Sequence, residues 1–70
     1  MKPEFEVGDL LEEELDGNRY YYLVMGIEEY NHAVEKQYYY RLMCHHTGNM
    51  EDIFCEFIEK CDDWKKINHD

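Results

Sequence analysis

No stretch of the chain approaches the roughly 18 consecutive apolar residues that a membrane-spanning helix requires. The N-terminus, Met1-Lys2-Pro3-Glu4, leads into acidic residues rather than the apolar core of a signal peptide. A cytoplasmic protein is expected. Glycine is scarce: Gly8, Gly17, Gly26 and Gly48 stand alone, so the glycine-rich loops that cradle nucleotide phosphates cannot be assembled. Positive charge is also short, with seven lysines and arginines against seventeen aspartates and glutamates and a net charge of −10. Contacts to nucleic-acid phosphates come mainly from lysine and arginine, so direct nucleic-acid binding is disfavoured, and an anionic membrane surface would repel the chain. Linkers, low-complexity tracts and solenoid-length repeats are missing too, which leaves one domain over residues 1–70.

Cysteine occurs in an odd number, so a disulfide framework of Cys44, Cys55 and Cys61 would leave one thiol over. Reduced thiols packed as small apolar groups fit better. His45 and His46 stand beside Cys44, with His32 and His69 elsewhere, so the ligand types for zinc exist, but no C-x2-C spacing accompanies them. On a strand His45 points away from Cys44 and His46; no metal and no cofactor is expected. Carboxylates are too abundant for any pair to mark acid/base chemistry, and nothing specifies an oxyanion hole beside a thiol. The chain is not expected to be an enzyme.

Against these absences stand 44% apolar residues, with seven tyrosines, three phenylalanines and one tryptophan, enough for a thin core in a domain of this size. Phe5 to Leu15 reads as a first strand stopped by the turn Asp16-Gly17-Asn18. Arg19 to Glu28 is the clearest strand; its odd positions Tyr21, Leu23, Met25 and Ile27 are all large and are assigned to the core, which turns Tyr20 and Tyr22 outward. Gly26 inside it marks a bulge or a sharp bend. Glu28 to Lys36 reads as a long hairpin loop. A third strand over Gln37 to His46 places Tyr38, Tyr40, Leu42 and Cys44 on one face and Tyr39, Arg41, Met43 and His45 on the other, and Thr47-Gly48-Asn49 closes the next turn.

The last segment supports two readings. Met50, Ile53, Phe54, Phe57, Ile58, Cys61 and Trp64 follow helical spacing. A strand over Glu51 to Cys55, one helical turn over Glu56 to Cys61 and a strand over Asp63 to Ile67 account for the same residues. Order and spacing favour the second. Phe5-Glu6-Val7-Gly8-Asp9-Leu10, Tyr22-Leu23-Val24-Met25-Gly26-Ile27, the Thr47-Gly48 turn and Asp63-Trp64-Lys65-Lys66-Ile67 together resemble the small SH3-like β-barrels of phage-encoded and prophage-encoded proteins, over nearly the whole chain. The resemblance implies a mainly β fold: a barrel of about five antiparallel strands with a short helical turn before the last. The alternative is an α+β arrangement, a three-stranded meander with a packed C-terminal helix.

Two features point to binding. Glu12, Glu13, Glu14 and Asp16 approach the first turn while Glu28, Glu29 and Glu35 flank the long loop; such acids either keep a solvated face soluble or steer association with a basic groove. Tyr20, Tyr22 and Tyr39 form the expected outward aromatic strip, an interface or a face covered by another part of the fold or a second copy of the chain. By size, charge and barrel type the chain resembles the small acidic inhibitors that phages direct against host nucleases and defence proteins, whose carboxylates mimic DNA phosphates. The implied partner is a protein with a basic, otherwise nucleic-acid-binding site. The alternatives are a homo-oligomeric assembly protein that uses the tyrosine strip, and a barrel that sequesters a nucleotide signal through Arg19, Arg41 and Lys36.

Overall fold

The computed structural model describes residues 3–31 and 37–67. Asp16 and Gly17 both take positive φ, 52° and 79°, between the paired residues Leu15 and Asn18. This is the two-residue hairpin turn whose twist matches the flanking strands, and Asp-Gly is among the pairs that favour it. It joins β1 (Leu10–Leu15) to β2 (Asn18–Tyr30). There follow β3 (Gln37–Cys44), β4 (Met50–Phe54), a five-residue helix α1 (Cys55–Glu59) and β5 (Trp64–Lys66). All pairings are antiparallel, and the sheet order is β4-β3-β2-β1-β5, so the last strand returns beside the first. The result is mainly β, five strands in one sheet with a short helix before the last, as expected for a small barrel-like fold.

The concave side of this sheet is lined by Leu11 from β1, Tyr22 and Val24 from β2, and Tyr40 and Leu42 from β3; Ile58 of α1 and Trp64 of β5 also enter the core. The face assignment of β3 holds: Tyr40, Leu42 and Cys44 are buried and Arg41 is exposed. That of β2 is reversed over its first half. Tyr22 and Val24 are inside, and Tyr20 packs against the core. Large residues on both faces hide the direction of a strand from sequence, and register decides it: Tyr22 stands opposite Leu11 on one side and Cys44 on the other. At Met25 the register to β3 shifts between Val24 and Gly26. The extra residue moves the inward parity from even to odd, so Ile27 joins the core's edge while Met25 is 46% exposed. Gly26 thus lies at the expected bulge.

The first strand is shorter than expected. It begins at Leu10, because Glu6 to Asp9 closes a turn in which Asp9 Oδ2 accepts the Glu6 N–H at 2.9 Å and Gly8 takes φ 97°. Phe5 is nonetheless buried, against Tyr40. The long loop is also shorter than expected, since β2 runs to Tyr30; the remainder, including Glu35 and Lys36, lies outside the described residues. The C-terminal segment takes the strand, turn and strand reading. Its helical spacing is accidental: Ile58 and Trp64 are buried and Ile53 half-buried from three different elements, whereas Met50, Phe54 and Phe57 are exposed.

Candidate functional site

The three consecutive glutamates of β1 alternate across the sheet and meet different fates. Glu12 faces the convex side, only 7% exposed, with the Lys65 ammonium 3.4 Å from its carboxylate. Glu13 stands opposite Tyr20 and Trp64 and accepts a 3.4 Å hydrogen bond from the Tyr22 hydroxyl. Glu14 is exposed, opposite Arg19, and its N–H donates to the Asp63 carbonyl at 2.9 Å. Asp16 is exposed at the turn.

Burial is the main reason that the Glu13 carboxyl titrates above its ordinary value; the Tyr22 hydroxyl works against this, and the negative charges of Glu51 and Asp63 add to it. The Tyr22 phenol is pushed up to about 12, first by burial and then by Glu13 and Glu51. The Tyr22–Glu13 hydrogen bond and the strand register mark this as the candidate site. Carboxylates from β1, from β4 and from the connection before β5 converge on one end of the barrel, around the Tyr22 ring, which lies 5.1 Å from the Trp64 ring. Glu51 and Asp63 were not among the site residues expected from sequence. The β1-β5 pairing sets Asp63 next to Trp64, the partner of Glu13, and the β3-β4 pairing sets Glu51 opposite the inward Leu42; no sequence spacing encodes their meeting.

Of the five described bases, Arg19 stands opposite Glu14 and the other four pair with acids outside this group. Among the described residues Arg41 pairs with Asp52 at 3.2 Å, Lys60 with Glu56, Lys65 with Glu12 and Lys66 with Asp9 at 3.5 Å. The Arg41 and Lys60 pairs are exposed and contribute little to stability, whereas Lys65 and Lys66 meet the buried carboxylates of Glu12 and Asp9; all four bases are committed to other acids.

The tyrosine strip requires correction. Tyr20 and Tyr22 face inward, for the register reason given above, so they cannot form an outward strip with Tyr39. Tyr39 does face outward, between Glu28 and Phe54 in register, and its ring meets Phe54 edge-on at 6.4 Å, as does that of Tyr30 at 5.4 Å. Glu28 and Glu29 are both exposed on the adjoining strand. The convex face carries a second apolar feature that sequence reading missed: Leu10, Leu23, Met43 and Met50 are paired in one row across β1 to β4. Its signal was the apolar residue next to each core residue, Leu10 beside Leu11, Leu23 beside Tyr22 and Met43 beside Leu42, concealed by the reversed face of β2.

Cys44 and Cys55 are buried free thiols, and Cys61 is half-buried. Burial pushes the Cys55 thiol up to about 11, while hydrogen bonds from Thr47 hold that of Cys44 below its ordinary value. Among the described residues no group of three histidine, cysteine or carboxylate side chains is placed to hold a metal ion, and no helix is long and apolar enough to cross a membrane.

Tyr22 supplies a direct check on the site. Its folded-state value lies above the ordinary 10, so its contribution to stability is complete below about pH 10 and is lost as pH rises through about 12. The difference in tyrosinate absorbance between the native protein and Tyr22→Phe is expected to develop near pH 12. A difference already complete at pH 10 would show that neither burial nor Glu13 restrains the phenol.

No family model matches the chain, and no curated protein or solved structure matches it. Fold and surface define a small acidic β protein with a carboxylate end, an edge-on aromatic cluster and a convex apolar row.

Proposed function

We propose that this protein is an acidic binding module that docks its carboxylate end on a basic site of another protein, one that otherwise accepts nucleic acid. The observation that carries this reading is that Glu13, Glu51 and Asp63, from three parts of the chain, lie close enough for the last two to add to the rise that burial chiefly causes in the Glu13 pKa. Like charges gathered on a fold weaken it, and a cost of that kind is commonly kept where function needs it. The net charge of −10 on a β scaffold also supports the phosphate-mimicking role implied by the resemblance to phage-encoded inhibitors. Complementary charge would act mainly on the rate of association and on the choice of partner.

The test is capture by the full chain in parallel with the neutral variant Glu13→Gln/Glu51→Gln/Asp63→Asn. The expected partner is a basic protein, retained at low salt, released as ionic strength rises, and displaced by duplex DNA or RNA. The variant is expected to bind it about tenfold or more weakly, while unfolding at a higher temperature because repulsion is relieved. A partner that ignores salt, nucleic acid and the three substitutions alike would overturn the proposal.

The convex row Leu10, Leu23, Met43 and Met50 favours a second reading, self-association through that face. A solution mass of two chains, abolished by Leu23→Glu, would support it in place of the first.

A further inference from the structure

The strand β4 closes one side of the sheet with a single neighbour, β3. The Cys44 N–H donates to the Asn49 carbonyl at 2.8 Å, and this bonded pair sets the alternation along the ladder. Leu42 with Glu51, and Tyr40 with Ile53, are then the bonded pairs, while Met50, Asp52 and Phe54 turn their N–H groups away from β3. Among the described residues no strand receives them. Such an edge is a template for another strand, and its side chains decide which strand it accepts.

We propose that the β4 edge takes up an extended basic segment of the partner as a sixth strand; this rests on the acidic docking proposed above and names its mode. A second copy of the chain is a poor occupant. Antiparallel pairing of β4 with itself about its centre sets Asp52 against Asp52 and brings Glu51 of each copy beside the other's acids, and like charges directly opposed destabilise a pair. A strand carrying lysine or arginine reverses both signs. Glu51 belongs to the carboxylate end, and Asp52 engages Arg41 through Oδ1 only, leaving Oδ2 for a cation on the incoming strand. At the other end of β4, Phe54 lies within the cluster formed with Tyr30 and Tyr39 and is 43% exposed. The edge therefore offers charge first and an aromatic surface after it, suited to basic residues followed by an apolar one.

The probe is a short blocked peptide of alternating lysine and valine, titrated into the full chain at low salt while amide exchange is followed. Exchange at Met50, Asp52 and Phe54 is expected to slow about tenfold or more at saturation. The same peptide N-methylated at alternate amides, which cannot form a ladder, is expected to give no protection. Asp52→Pro is expected to weaken the peptide about tenfold and to keep the fold, because the N–H it removes does not bond β3. Asp52→Asn, with the edge intact, is expected to lose less.

Salt-sensitive binding that leaves the three amides unprotected and ignores Asp52→Pro would overturn the edge proposal alone. Failure of every basic probe to bind at low salt would overturn the docking reading with it. Equal protection by a glutamate-valine peptide, or protection that grows with protein concentration and no peptide, would also overturn it, the latter by making a second copy the occupant.

Discussion

Leu42→Ala is expected to remove about 2–5 kcal/mol of stability, the range for truncating a fully buried leucine. Leu42 has no solvent exposure, and it sits on β3 between Val24 of β2 and Glu51 of β4, with α1 packed on the same strand. Nothing on an inner strand with neighbours on both sides can move far to refill the space. A domain of this length holds on the order of 3–10 kcal/mol in total, so the substitution takes a large share of it. The urea midpoint should fall steeply with little change in slope. Met43→Ala, one residue along on the convex face, provides the comparison. Met43 is half-buried, and its loss is expected to cost less than about 1 kcal/mol. Equal costs at the two positions would mean that β3 does not divide core from surface as the register requires.

That division was legible in sequence for β3 and not for β2, and the difference is instructive. In β3 the outward set includes Arg41, which labels its face. In β2 residues 20–25 are large and uncharged on both sides, so the side-chain period of two is present without a sign. The bulge at Met25 then makes either single assignment wrong for part of the strand. The turns were legible because Asp16-Gly17 and Gly48 supply positive φ, which few other residues adopt cheaply. The return of β5 to β1 was legible only through resemblance, since nothing in Trp64-Lys65-Lys66 names Glu12 or Glu13 as its neighbour.

The same limit explains the candidate site. Glu12, Glu13 and Glu14 are adjacent in sequence and look equivalent, yet one is paired with Lys65, one is crowded by Glu51 and Asp63, and one is exposed. Chain proximity identified the first strand's contribution. Long-range pairing supplied the carboxylates that turn a charged strand into an acidic end. The domain's charge of −10 is therefore unevenly distributed: four of the five described bases pair with acids other than Glu13, Glu51 and Asp63, and the fifth, Arg19, stands opposite Glu14.

Tyr40→Phe is expected to cost about 1–3 kcal/mol, although it deletes a single oxygen. The Tyr40 side chain is wholly buried, and its hydroxyl accepts the Phe5 N–H at 3.0 Å while donating to Glu59 Oε2 at 2.7 Å. Glu59 Oε2 also accepts the Glu4 N–H at 3.0 Å. One phenol and one carboxylate thus fasten the segment before β1 to both β3 and α1, holding Phe5 against the Tyr40 ring at a centroid distance of 5.8 Å. Burial foremost, with donation to Glu59 adding to it, keeps the phenol protonated far above its ordinary range. Phenylalanine preserves the ring and its packing but leaves the Phe5 N–H without its acceptor in a buried setting, and that unmade bond is the source of the loss. Amide exchange at Phe5 should accelerate more than exchange in the central strands. Glu59→Gln, which retains an acceptor oxygen, should cost less, and the double variant should cost less than the two losses added, because both substitutions act on one hydrogen bond. Additive losses with Phe5 still protected would show that the N-terminal segment is held by ring packing alone.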